Sequence, residues 1–163
     1  MVRKAEMRDL PRILEIYDAA RSYMVQSGNP TQWGDGYPKR ELLEEDIALG
    51  QLYVCCDGAG RAYGAFAFML GEDPSYVEID GAWPNDRPYG TIHRLASDGS
   101  VKGMFGECLG FCRGIITNLR GDTHPNNTTM QHLLEKHGFV RCGTILLPDK
   151  ADDRLRIAYQ CEG

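Results

Sequence analysis

The stretch TIHRLASDGSVKGMFGECL (91–109) constrains the fold more than any other part of the chain. An apolar, strand-like run ends in Ser-Asp-Gly-Ser, and helical character begins at Lys102-Gly103, so the stretch reads as strand, glycine-marked turn and helix. The first N–H groups of a helix lack internal partners, and the aligned peptide dipoles make that end electropositive. An anionic group such as a pyrophosphate is well placed there. Gly103 lets a ligand approach the backbone, and Lys102 adds a charge. The same junction also serves as a plain structural turn, and its own residues leave both readings open.

The rest of the chain alternates between the two periodicities. Residues 2–6 form a short opening strand, and Asp9 caps a helix over 9–26 with Leu10, Ile13, Leu14, Tyr17, Ala20 and Met24 on one stripe. A Gly- and Pro-rich loop, GNPTQWGDGYP (28–38), leads to a second helix at ELLEEDIAL. QLYVCC and RAYGAFAFML are two strands joined by the turn DGAG, and YVEI (76–79) extends that sheet. NLRGDTH is a further strand. Asn127 caps a helix carrying Met130, Leu133 and Leu134 and ending at Gly138, and FVRCGTILL and RLRIAYQC close the chain as strands. This order predicts a mixed α/β or α+β domain with helices on both faces of a sheet. Gly106, Gly110 and Gly114 recur every four residues, which predicts close packing of their helix on the sheet or across a homodimer interface.

Composition narrows the function classes. The 163 residues suit a single domain, and a formal charge of −5 argues against a nucleic-acid surface. Six cysteines contain no CxxC pair, so no metal is expected, and Cys108 and Cys112 read as small buried thiols on one helix face. The opening MVRKAEMRDL lacks an apolar signal core, and no run approaches the ~20 apolar residues that span a bilayer. A cytoplasmic protein with reduced thiols and no membrane partner is expected.

HRLAS (93–97), VKGMFGECL (101–109), DTHPNN (122–127) and MQHLLEKHGF (130–139) follow one another in an order and spacing that resembles the GNAT superfamily of acyl-CoA N-acyltransferases. The resemblance spans the whole chain and is most specific over 91–139. It implies one domain over 1–163 of α/β (α+β) class, with a mixed, mostly antiparallel central sheet of about six to seven strands flanked by helices. It implies transfer of an acetyl group from acetyl-CoA to the primary amine of a small molecule or peptide, by direct attack of the amine on the thioester.

The same resemblance marks the cofactor residues: backbone N–H groups at Leu95, Ala96 and Ser97, the loop Val101, Lys102, Gly103, Met104, Phe105 and Gly106, and Asn127 against the pantetheine arm. Ser100 stands where that loop usually carries Arg or Gln, Phe105 where its last small residue stands, and Leu134 where many relatives carry a Tyr that protonates the leaving thiolate. An ammonium ion must lose a proton before it attacks. His93 is the first candidate base, since strand alternation sets it on one face with Leu95 and Ser97, and Asp122 with His124 is the second. Glu78 relays a proton or holds a cationic acceptor, and Trp33 and Tyr37 wall the acceptor pocket. Two alternatives stay open: a module that binds acyl-CoA without turnover, and a CoA-independent structural domain.

Overall fold

The computed structural model describes residues 1–162. The chain runs β1 (Val2–Lys4), a 3-10 turn (Met7–Asp9), α1 (Leu10–Gln26), α2 (Arg40–Ala48), β2 (Leu52–Cys56), β3 (Ala62–Leu70), a second 3-10 turn (Pro74–Tyr76) and β4 (Asp80–Gly81). It continues through β5 (Gly90–Ser97), α3 (Met104–Arg113), β6 (Leu119–Thr123), α4 (Thr128–Lys136), β7 (Val140–Leu146) and β8 (Leu155–Cys161). The strands form one sheet of eight in the order β1-β2-β3-β5-β6-β8-β7-β4. Every neighbouring pair is antiparallel except β5 with β6.

Local chemistry explains most of these elements. Pro11 sits in the first turn of α1, where its missing N–H costs nothing, and the helix buries Leu10, Ile13, Ile16, Tyr17 and Ala20. Asp57 accepts N–H bonds from Ala59 and Arg61 and so closes the β2–β3 turn. α1 and α2 cover one sheet face, where Ile13, Ile16 and Leu43 pack with Val54, Ala65 and Ala67. α3 covers the other, where Met104, Cys108, Leu109 and Cys112 pack with Tyr53, Phe66 and Phe68. Burying one such aliphatic or aromatic side chain contributes about 1.5–3 kcal/mol. Cys108 and Cys112 are fully buried in that layer, and burial pushes the Cys108 thiol well above its ordinary range. No helix among the described residues is long and apolar enough to cross a membrane.

Two sequence expectations are corrected. YVEI is not a strand: Asp73 accepts the Ser75 N–H and Pro74 follows it, starting a 3-10 turn that turns the Tyr76 ring into the core beside Trp83 and Tyr89. The strand next in sequence is the two-residue β4, which pairs with Thr144 and Gly143 of β7 at the far edge of the sheet. The glycines of α3 do not face the sheet either. Gly106, Gly110 and Gly114 are exposed, and a Cβ added at Gly110 would meet nothing within 4 Å. Gly110→Ala is therefore expected to stabilise the fold by about 0.5–1 kcal/mol, as read by urea unfolding, because glycine in a helix interior loses more entropy than alanine. A destabilised variant would show that this surface is occupied.

Candidate active site

The one parallel contact in the sheet positions the site. β5 and β6 pair only at Gly90–Leu119 and Thr91–Arg120, after which the strands part. The opening is a cleft of about 450 Å³, bounded by Ile92–Leu95, Arg120–Thr123, Asn127 and Leu134, with Trp33 and Tyr37 from the α1–α2 loop and Arg156 from β8.

β5 carries one extra residue relative to β3: Ala67 lies opposite His93, whereas Ala65 lies opposite Ala96. Arg94 takes up the excess with φ of 52°, a conformation that costs a non-glycine residue about 1–3 kcal/mol. Three contacts hold it. The Arg94 guanidinium reaches the buried Asp46 carboxylate through two bonds of 2.9 and 3.0 Å. The Tyr17 hydroxyl donates to the Arg94 carbonyl at 2.6 Å. Gln51 donates to the same Asp46 at 2.8 Å.

The bulge corrects the assignment of faces. His93, opposite Ala67, and Ala96, opposite Ala65, share the face covered by α1, while Leu95 packs with the α3 layer. His93 therefore does not share a face with Leu95 and Ser97. The change suits the chemistry, because it sets His93 on the side of the loop carrying Trp33 and Tyr37. On the other side, the Asp98 N–H donates to Tyr63 of β3, so strand alternation turns the Leu95 and Ser97 N–H groups towards the opening.

The segment from Ser97 to Gly106 is organised by its own polar side chains. Asp98 accepts from the Ser100 N–H (2.9 Å) and hydroxyl (2.6 Å) and pairs with Arg12, while Ser97 Oγ accepts from Gly99 N–H at 3.1 Å. Gly103 caps α3 with φ of 83°, and no side chain caps the helix. The N–H groups of Val101 through Gly106 thus have no acceptor among the described residues. Lys102 is exposed beside them. Met104 and Phe105 point inward: Met104 lies so close over Gly64 that a Cβ there would stand 2.8 Å from it, and Phe105 packs edge-on against His137 at 5.1 Å. A phenylalanine in this loop therefore leaves the amides open.

On the acceptor side, His93 Nε2 lies 2.7 Å from Asp73 Oδ2. Burial raises the Asp73 pKa, but the His93 bond and the Ser75 amide outweigh it and hold the carboxyl below its ordinary range. An ionised carboxylate only accepts, so Nε2 carries the hydrogen and Nδ1 is left as the basic nitrogen. Asp122 accepts from the Tyr76 hydroxyl at 2.6 Å. His124 is buried and bonds Asp153 at 2.9 Å, with its Nδ1 accepting the Asn126 N–H, so it forms no pair with Asp122. Asn127 caps α4 through the Met130 N–H at 2.9 Å and donates to Gln32 at 2.9 Å. Trp33 packs 5.7 Å from Tyr17 and 6.1 Å from Tyr37, and both loop aromatics line the cleft. Leu134 is buried at its wall.

Glu78 is corrected: with no strand beneath it, it is exposed and does not line the cleft. Trp83 lies outside the cleft wall and covers the Arg120 guanidinium at 4.0 Å, with Tyr89 on it at the same distance. Asp73, Tyr76, Asp46, Arg94 and Arg156 were not singled out by the sequence. Only Asp73, before Pro74, has a local cap signal, and its partner is twenty residues away.

Parted parallel strands, a helix N-terminus with no side-chain cap and a His–Asp pair thus meet around one opening. A structure of a GNAT-family acetyltransferase from Streptococcus agalactiae 2603 is 31% identical, with 100% of this chain and 95% of that one covered and a TM-score of 0.84. A GNAT-family acetyltransferase from Listeria monocytogenes 4b F2365 is 20% identical over 100% and 94% of the two chains, with a TM-score of 0.71. A chain of the NatC complex bound to Gag peptide and CoA shares the fold at 12% identity, 100% and 98% coverage and a TM-score of 0.62. No family model matches the sequence, and no curated protein matches it. The chain belongs to the GNAT family of acetyltransferases.

Proposed function

We propose that this protein transfers an acetyl group from acetyl-CoA to the primary amine of a small molecule or peptide, in the cytoplasm. The observation that carries the reading is the cleft between β5 and β6, with free amides on one side and His93–Asp73 on the other. The residues fit the cofactor. The row of N–H groups from Val101 to Gly106 would bind a pyrophosphate, and a Cβ-free Gly103 with nothing within 4 Å leaves room for it. Asn127 and Leu134 would line the pantetheine arm.

Bound acetyl-CoA supplies the acyl group as a thioester. Asp122 draws the acceptor ammonium into the cleft, and Nδ1 of His93 takes its proton, directly or through one water. Asp73 orients the imidazole and offsets the charge it gains. The Leu95 N–H donates to the thioester oxygen as charge builds there. The N–C bond forms as the C–S bond breaks, and the second proton of the amine nitrogen passes to solvent. With Leu134 at the wall, solvent protonates the thiolate, which is a good enough leaving group to need no positioned acid.

The test is a thermal-shift titration with acetyl-CoA followed by thiol release across amines. A ligand at 100 times its Kd stabilises by about 2.7 kcal/mol, so a shift of several degrees is expected. Thiol release must follow with at least one amine. No shift at millimolar acetyl-CoA overturns cofactor binding; a shift without thiol release overturns turnover.

A further inference from the structure

Arg156 is the feature of the cleft that the transfer chemistry leaves unused. It is 2% exposed, yet it has no carboxylate within salt-bridge distance among the described residues. One terminal nitrogen donates to the carbonyls of Asp153 and Leu155 at 2.8 Å each, and the other reaches the Gln32 carbonyl only at 3.4 Å. Its Nε–H has no partner among the described residues, and the side chain lines the cleft. Arg94 is paired with Asp46. Arg120, also buried at the cleft with no carboxylate partner among the described residues, is covered by the Trp83 and Tyr89 rings and donates to Gln160 and the Asn85 carbonyl. Burying a guanidinium without a carboxylate in contact is costly, and burial lowers the Arg156 pKa, with the more distant Asp122 and Asp153 charges offsetting it only in part. Such a group is retained where an anion completes it, because the guanidinium fork matches a carboxylate in two bonds.

Its place agrees. Asp122 lies opposite Ala158 in the β6–β8 pair, and Arg156 is two residues along β8 on the same face, roughly 7 Å away by strand rise. A carboxylate that attracts an amine and a guanidinium that attracts an acid thus sit side by side under the α1–α2 loop. We propose that Arg156 binds a carboxylate on the acceptor, so that the substrate is a small amino acid-like amine whose amino and carboxylate groups are a few bonds apart. The proposal rests on the acyl-transfer reading. It sets aside polyamines, and peptide N-termini, whose neighbouring carbonyl is an uncharged amide.

The experiment is thiol release from acetyl-CoA with the free L-amino acids, each paired with its carboxamide, and with spermidine. Turnover is expected with one or more acids, at a kcat/KM at least tenfold above the matched amide. In Arg156→Met the preference should shrink to within threefold through a higher KM for the acid, with the acetyl-CoA thermal shift kept. Arg156→Lys should restore part of it. Amides or spermidine used as well as the acids would overturn the proposal, as would a preference that survives in Arg156→Met. If Arg156→Met does not fold, the acid-to-amide ratio of the wild type decides. Acetyl-CoA binding with no thiol release from any acceptor sinks the acyl-transfer reading, and this proposal with it.

Discussion

His93→Gln is expected to lower kcat by about 10²–10⁴-fold, the usual contribution of a positioned base, while leaving the acetyl-CoA thermal shift unchanged. Glutamine keeps a hydrogen-bonding group beside Asp73 but cannot take a proton at neutral pH. His93 lies on the acceptor face, away from the amides of 101–106, so binding and turnover should separate. A variant retaining more than a tenth of wild-type kcat would move the base to Asp122 or to solvent. Asp73→Asn supplies the companion measurement. The folded carboxyl of Asp73 is held below its ordinary range, so its ionised form stabilises the fold above about pH 4, and that contribution is lost as pH falls through the folded value. The stability deficit of Asp73→Asn at pH 7 should therefore narrow on acidification below pH 4. A deficit constant with pH would mean that it comes from packing.

Asp46→Ala is expected to cost about 3–5 kcal/mol, because it leaves the Arg94 guanidinium buried without its counter-charge. In a chain of this size that is a fall in melting temperature of roughly 6–20 °C. Asp46 is 1% exposed, and its oxygens accept two bonds from Arg94 and one from Gln51. The double replacement Asp46→Leu with Arg94→Met should recover most of the stability, since a buried ion pair and a packed apolar pair are often equivalent. It should not recover activity. The pair draws the Arg94 side chain towards α2 and thereby holds the bulge that sends His93 to one face and Leu95 to the other. Full activity in the stable double variant would show that backbone pairing alone keeps the bulge. Loss of less than 1 kcal/mol in Asp46→Ala would remove the pair from the account.

Much of this was legible because it is local. The β2–β3 turn rests on Asp57 and its near neighbours, α1 on a stripe of apolar residues, and α4 on the Asn127 cap, all within a few positions in sequence. Ser97–Gly106 was legible for the same reason: the residues that shape the loop lie almost wholly inside it. The parts that were missed depend on distant partners. Register decides which face a strand residue takes, and one extra residue at Arg94, held by Asp46 and Tyr17, reversed the expected relation of His93 to Leu95. YVEI had the composition of a strand, but the Asp73 cap, Pro74 and the aromatic contacts of Tyr76 place Tyr76 at the end of a 3-10 turn and leave 77–79 outside any strand. Glu78 left the site with it.

Apart from segment 74–81, the sequence by itself determined the element order, along with the two-faced packing and the backbone loop before α3, since each is written in periodicity, glycine placement and caps. Only the tertiary structure decided where β5 and β6 part, which carboxylate orients His93, and that Arg156 stands unmatched under the acceptor loop. Those three facts join residues 20 to 124 positions apart, and no local preference specifies such a pairing.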